Sequence, residues 1–348
     1  MMIIDFNKSW PRVIHNISEL TAVTLGILFN TLLLIIVKKQ RDGALVEFGR
    51  IVTINTVIDF FLTLTTLIGG VQTDGQDGAM FLIADSYFST LVPSSFHFYI
   101  NYLWCIGLGF SILYQPVPFY HRYNTIVKNE HMSTKKSIFL VALPMTAGIW
   151  NTSWMVFGMS KITHPETYKH LIDHPIWKQP TNKIPIFSVS DARHWPTLVF
   201  YLSCSITFPL ATGLALYFYS AIHTQLKNNL SNMSEKTQKL QRQLNRALLS
   251  QIIFPCAFGI FPMVIFMAML LFRTRYHIPS IFVTALFSFI PVINPLLNII
   301  LVTAYRRTFV SFFFCSRKTK VRVVSTSDGF KTNVHSEIRI TKVVPTTS

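Results

Sequence analysis

Residues 278–307 read IPSIFVTALFSFIPVINPLLNIILVTAYRR. No residue between Ile278 and Ala304 is charged, and an apolar helix of this length crosses a lipid bilayer. Pro291 and Pro295 each remove a backbone donor, so the helix bends and leaves carbonyl groups without partners. In lipid, those groups must be satisfied by neighbouring helices. The stretch therefore predicts a kinked helix packed within a membrane bundle rather than a plain anchor.

The composition supports a chain that crosses the membrane several times. Of its 348 residues, 50% are hydrophobic and 13% are charged, whereas soluble domains carry about a quarter charged residues. We therefore expect an all-α membrane protein, a seven-transmembrane helix bundle over 13–304. The predicted spans are Val13–Val37, Phe48–Val71, Tyr87–Tyr120, Ser137–Met159, Trp195–Ile222, Arg246–Phe272 and Ile278–Ala304.

The distribution of positive charge predicts the orientation. With the N-terminus outside, the inner segments carry 21 Lys and Arg and the outer segments carry nine, which follows the positive-inside rule. The net charge of +16 is then explained without a nucleic-acid partner. We expect an extracellular N-terminus (1–12), an amphipathic juxtamembrane helix on the membrane lipid (305–316) and a disordered cytoplasmic tail (317–348).

Three residues are candidates for covalent modification. Asn7 and Asn16 head glycosylation sequons in the predicted outer segment and at its border with the first span. Cys315 follows the amphipathic segment in basic company, which is typical of palmitoylation.

Polar residues inside the spans are functional candidates because they are costly in lipid. Asp59 lies near the middle of the second span, and Asn55 shares its helix face. Asn30, Ser111 and Asn294 lie in the first, third and seventh spans. They could meet Asp59 in one polar cluster that holds water or a cation; the alternative is a set of unconnected hydrogen bonds between helices.

The inner end of the third span and the prolines suggest a protein that changes conformation. His121-Arg122-Tyr123 places a permanent charge at the membrane border, although such a residue can also be an ordinary positive flank. Pro209, Pro262 and Pro295 are predicted hinges. Bent helices also occur in transporters, so a ligand-gated channel or transporter remains the alternative.

Enzyme chemistry and metal binding are not expected. The four cysteines fit no metal spacing, and His170 and His174 form a single HxxxH pair where membrane di-iron enzymes need several. No phosphate-binding loop or nucleophile elbow is present. We therefore predict no metal, no cofactor and no catalytic residue.

These features together resemble the rhodopsin-like G-protein-coupled receptors. Within that architecture, the chain is similar to nematode serpentine chemoreceptors of the class d or str-like group. The similarity rests on QRQLNRALLSQIIFP (241–255), Tyr120-His-Arg-Tyr123 and FSFIPVINP (287–295). Departures from the common receptor pattern are Asn298 in place of the switch tyrosine, Ile260 in place of a tryptophan and His97 in place of a cysteine, so the usual outer disulfide is absent.

The resemblance implies a multi-pass receptor in the plasma membrane, with the membrane of a sensory cilium as a candidate location. It implies two partners, a small-molecule ligand and a heterotrimeric G protein, the latter contacted by His121, Arg122, Tyr123 and Arg246. We expect an apolar or uncharged ligand, because no acidic residue lies midway along a span in the outer half of the bundle, where it could pair with a cationic amine. The predicted ligand-binding residues are Asn101, Trp104, Cys105, Phe200, Tyr201, Cys204, Phe266, Met267 and Phe282.

Overall fold

The computed structural model describes residues 8–40, 43–76, 78–130, 133–159, 174–177, 187–229, 234–273 and 278–313. Eleven α-helices occur within these ranges. They are α1 (Trp10–Lys38), α2 (Gly43–Gly69), α3 (Ser94–Leu113), α4 (Pro116–Ile126), α5 (Thr134–Met159), α6 (Trp195–Asn229), α7 (Glu235–Pro255), α8 (Phe261–Leu271), α9 (Ile278–Ser288), α10 (Ile290–Leu301) and α11 (Thr303–Phe313).

These helices build seven spans, as predicted. Six helical stretches are long and apolar enough to cross a membrane: Trp10–Lys38, Phe48–Gly69, Phe96–Ile126, Trp195–Asn229, Thr237–Leu271 and Ile281–Leu301. The helix α5 supplies the fourth span. Spans three, six and seven are each made of two helices, α3 with α4, α7 with α8, and α9 with α10.

Prolines lie at most of these divisions. The third span breaks just before Pro116, where the missing N–H costs little because it begins a new helix. In the sixth span, a π-helical turn (Cys256–Ile260) follows Pro255, and Pro262 lies in the first turn of α8. The predicted hinges Pro209 and Pro295 lie instead inside continuous helices, α6 and α10.

A three-stranded antiparallel sheet covers one end of the bundle, which we call the sheet end. Its strands are β1 (Val71–Gln76), β2 (Ala79–Ala84) and β3 (Phe187–Asp191), in the order β1-β2-β3. Met80 and Leu82 of β2 pack against the helices, and Phe81 and Ile83 face the other way and contact a layer that includes Trp177. Apart from Val71, these strands lie between the predicted spans, and the sheet was not predicted from the sequence.

The opposite end of the bundle, which we call the Arg122 end, has its own apolar core. Phe119, Leu248 and Tyr305 are all fully buried there. The helix α7 runs from Glu235 into the sixth span without a break. The four-residue spacing of Leu240, Leu244 and Leu248 in the sequence indicates the same continuous helix. Its Leu244 packs into the same core, so α7 is more than a solvated linker.

The juxtamembrane helix α11 packs on the C-terminal end of α1 and begins two residues before the predicted segment. Lys39 Nζ lies 3.9 Å from the ring centre of Phe312, and Gln40 Nε2 donates to Thr308 Oγ1 at 3.2 Å. Cys315, Asn7 and the tail 317–348 lie outside the described residues, so their predicted roles stay predictions.

Candidate functional site

A cavity of about 40 Å³ lies between spans three to seven and beneath the sheet. Five of the predicted ligand-binding residues line it: Trp104, Cys105, Phe200, Cys204 and Phe266. The sheet and spans three to seven supply the other lining residues, which are Thr73, Met80, Leu82, Leu108, Gly109, Gly148, Asn151, Thr152, Met155, Phe208, Met263 and Phe287.

The polar atoms at this cavity are bonded within the protein. Asn151 Nδ2 donates to Thr207 Oγ1 at 3.0 Å, and Asn151 Oδ1 accepts from Ser203 Oγ. Trp104 Nε1 donates to Thr66 Oγ1 at 3.2 Å. The Thr152 hydroxyl donates to Gly148 O at 2.8 Å. Most of the remaining lining is apolar, so the cavity suits an apolar ligand better than a charged one.

The other predicted ligand-binding residues lie outside this lining. Asn101 Nδ2 donates to Leu82 O and Ser188 Oγ, both at 3.3 Å, and so ties span three to the sheet. Tyr201 and Met267 are buried in the surrounding core. Phe282 is 48% exposed on the surface of the bundle, which places it away from the cavity.

The structure brings most of the predicted polar cluster together. Asn294 Nδ2 lies 3.2 and 3.4 Å from the two carboxylate oxygens of Asp59. Asn294 and Ser111 also line a cavity of about 20 Å³ together with Asn55. Asn30 is elsewhere, because its Nδ2 donates to Pro291 O at 2.8 Å and thereby satisfies a carbonyl at the break in span seven.

Asn298 and two glutamines that were not predicted as site residues lie in the same region. Gln115 and Gln251 line the same small cavity, and Gln251 Nε2 donates to Asn298 Oδ1 at 3.3 Å. Gln115 directly precedes the break at Pro116, and a glutamine beside a proline within a span is the signal that could have identified it. Asn298 therefore occupies the place of the usual switch tyrosine with a bonded amide.

At the Arg122 end, the predicted arginine is buried and bonded across spans. Arg122 is 6% exposed, and its Nη2 donates to Gln241 Oε1 of α7 at 2.6 Å. Both residues line a cavity of about 50 Å³ together with His121. Tyr123 packs against Phe218, with ring centres 5.4 Å apart.

Arg246 is exposed on α7 and does not line this cavity. Because Gln241 is neutral, its hydrogen bond with Arg122 between the third and sixth spans carries one charge, that of Arg122.

A buried ion-pair cluster at the sheet end was not predicted. Lys8 Nζ and Arg12 Nη2 lie 2.8 and 2.7 Å from Asp85 Oδ1, and Gln72 Nε2 donates to Asp85 Oδ2 at 3.0 Å. Burial disfavours the charged form of Asp85, but the charges and hydrogen bonds of Arg12 and Lys8 outweigh it and hold its pKa below the ordinary value. Gln72 also donates to Oδ1 of the sequon residue Asn16, which lies in α1.

Two further acidic residues, Asp74 and Glu19, are buried at the sheet end. Trp177 Nε1 donates to Asp74 Oδ2 at 2.5 Å, and Arg12 lies 5.3 Å from the Trp177 ring centre. Glu19 is buried in α1, at 5% exposure. Glu19 lies close to the start of the first predicted span rather than midway along it, which is why it was not among the predicted site residues.

Comparisons with known proteins agree with this architecture. The sequence profile of the family described as "Serpentine type 7TM GPCR chemoreceptor Str" matches residues 15–310. The chain is 23% identical over 319 residues to "Serpentine receptor class r-10" from Caenorhabditis elegans, covering 87% of this chain and 92% of that protein. The crystal structure of squid rhodopsin superposes with a TM-score of 0.58 at 12% identity, covering 89% of each chain. The predicted resemblance and the seven-helix fold are confirmed.

Proposed function

Because the chain belongs to the Str family of serpentine seven-transmembrane chemoreceptors, we propose that it detects a small, uncharged, largely apolar environmental chemical and signals to a heterotrimeric G protein. It belongs to a receptor family rather than to an enzyme family. In this proposal the sheet end faces the outside of the plasma membrane, and the Arg122 end and α11 face the cytoplasm.

The observation that carries the proposal is the cavity beneath the sheet. It is lined mostly by apolar side chains, and the amide of Asn151 is hydrogen-bonded to Thr207 and Ser203. A charged ligand would lose its hydration there without gaining a partner, whereas an apolar ligand loses little. Burial of apolar area is therefore the main source of affinity.

The cavity also contacts the elements that would have to move. Met263 and Phe266 of α8 follow the π-helical turn of span six, and Phe287 lies two residues before the break at Phe289 in span seven. A ligand that contacts these side chains differently in two arrangements of the helices would shift the population between them. At the Arg122 end, the same motion would separate Arg122 from Gln241 and expose the arginine to the G protein.

The proposal is tested with a panel of small organic compounds on cells that carry a calcium or cyclic-nucleotide reporter. For any active compound, Gly148→Ala should lower potency about tenfold or more, because one added methyl group in an apolar pocket is worth about 1–3 kcal/mol. A Cβ at Gly148 would meet its nearest neighbour at 3.5 Å, an ordinary contact, so the variant should fold.

Gly213→Ala is the matched control, since a Cβ at Gly213 meets nothing within 4 Å. Both changes replace a helical glycine, so both alter helix propensity in the same way. Equal potency of the compound on the two variants would show that the ligand binds outside this cavity. A response that persists when G-protein signalling is blocked, as an ionic current, would reject G-protein coupling.

A further inference from the structure

A second cavity, of about 40 Å³, lies between α1 and α2 at the sheet end. None of its lining residues lines the cavity beneath the sheet. The hydrogen bond from Trp104 to Thr66 joins the two, because Trp104 lines the first cavity and Thr66 the second. The second cavity is therefore a separate compartment next to the proposed ligand site.

Glu19 lines this cavity, and its carboxylate is poorly satisfied by the protein. Within the described part of the chain, it has two long polar contacts, to Ser288 Oγ at 3.5 Å and to His15 Nδ1 at 3.6 Å. The Ser288 hydroxyl has one proton, and it lies closer to Thr284 O, at 3.2 Å. Hydroxyl–carboxylate hydrogen bonds are normally about 2.5–2.7 Å, so Ser288 is a weak partner for Glu19.

The contact with His15 does not supply a proton either when the ring is neutral. Thr284 Oγ1 donates to Ile281 O at 2.9 Å, and it therefore accepts from His15 Nε2, 3.2 Å away. With its proton on Nε2, a neutral imidazole presents a lone pair at Nδ1. That lone pair faces the Glu19 carboxylate, so the buried acid lacks a strong donor.

The basic side chains of this region are committed elsewhere. Lys8 and Arg12 both bind Asp85, at 2.8 and 2.7 Å. Among the described residues, no arginine or lysine makes an ion pair with Glu19. An ionised carboxylate that is buried without a cationic partner is expensive, and a cation that enters the cavity would offset that cost.

The rest of the lining fits the remainder of such a ligand. Leu20, Val23 and Leu67 provide apolar surface, and Phe88 provides an aromatic ring. The Thr66 hydroxyl can accept or donate a further hydrogen bond. We propose that this cavity binds a primary ammonium group carried on a short alkyl chain, with Glu19 as its counter-ion. That chemistry is shared by free alkylamines in water and by the ethanolamine headgroup of a phospholipid.

The test uses the purified full-length chain in phosphatidylcholine nanodiscs, with thermal unfolding followed by tryptophan fluorescence. Butylammonium should raise the Tm in a concentration-dependent manner because it binds the folded state, and 1-butanol at the same concentration should not. Glu19→Gln should abolish the rise. Glu235→Gln, whose parent side chain is 89% exposed, is the matched control and should retain it.

Nanodiscs that contain phosphatidylethanolamine test the lipid source. A Glu19-dependent rise with butylammonium supports a soluble amine, and a Glu19-dependent rise with the ethanolamine lipid supports a headgroup. If Glu19→Gln does not fold, Leu67→Trp keeps the carboxylate but fills the apolar part of the cavity, and it should weaken butylammonium more than methylammonium. Equal stabilisation of the unaltered protein by butylammonium and 1-butanol, with no effect of the ethanolamine lipid, would overturn the proposal.

Discussion

Replacing Arg12 by methionine should destabilise the sheet end of the protein by about 3 kcal/mol at neutral pH. Arg12 is fully buried, and its guanidinium makes two bonds with Asp85, at 2.7 and 3.1 Å. Removing one partner of a buried pair costs about 3–5 kcal/mol, because the other charge is left buried. Lys8 still contacts Asp85 at 2.8 Å, so the lower end of that range applies.

The pH dependence of this loss tests its electrostatic origin. Arg12 and Lys8 hold the pKa of Asp85 below its ordinary value against the opposing effect of burial. A carboxyl with a lowered pKa stabilises the folded state above its unfolded pKa of about 3.9 and loses this effect as the pH falls through its folded pKa. In Arg12→Met the Asp85 pKa rises, so the stability difference between the two proteins should shrink below about pH 4.

The assay is thermal unfolding in nanodiscs between acidic and neutral pH. At about 2 °C per kcal/mol for a chain of this length, Arg12→Met should lower the Tm by about 6 °C at pH 7. Arg193→Met is the control, because Arg193 is 62% exposed and lies 4.0 Å from Asp191, and its Tm should change little. A Tm difference for Arg12→Met that stays constant across the pH range would refute the electrostatic explanation.

Three further outcomes are expected. Arg122→Ala should abolish ligand-evoked signalling at unchanged surface expression. Normal signalling by this variant would contradict a role for Arg122 in G-protein coupling. Asp59→Asn should alter the sodium dependence of ligand potency, and identical dependence in both proteins would contradict a cation role. Gly70→Ala should lower the free energy of unfolding by more than about 2 kcal/mol, since Gly70 has φ +51° and a Cβ there would lie 2.5 Å from Ser86 Cβ. Less folded protein should therefore reach the cell surface. Gly213→Ala should express normally, as measured by surface labelling.

The bundle could be predicted because bilayer crossing depends on local composition. Each span is an apolar run, and the breaks in spans six and seven lie beside Pro255 and Pro291, where a backbone donor is missing. The contact between Asp59 and Asn294 was also foreseeable, because polar groups in lipid must find one another. Five of the nine predicted ligand-binding residues line the cavity. They could be predicted because the spans that carry them pack together in one bundle.

The sheet and the charged cluster could not be predicted in this way. The strand β3 pairs with β2 from about a hundred residues further along the chain, and pairing over such a distance leaves no local periodicity in either segment. Asp85 appeared as one acid in an outer loop, and Lys8 and Arg12 as two basic residues before a span. Their meeting depends on how the N-terminal end of α1 packs against the sheet.

The sequence by itself determined that this chain crosses a membrane seven times and which family it resembles, since both follow from local composition and short motifs. Only the tertiary structure decided that a sheet covers the cavity, that Gln241 rather than an acid binds Arg122, and that Glu19 lines a second cavity. These features depend on which side chains meet across separate helices, and the packing of the whole bundle determines those meetings.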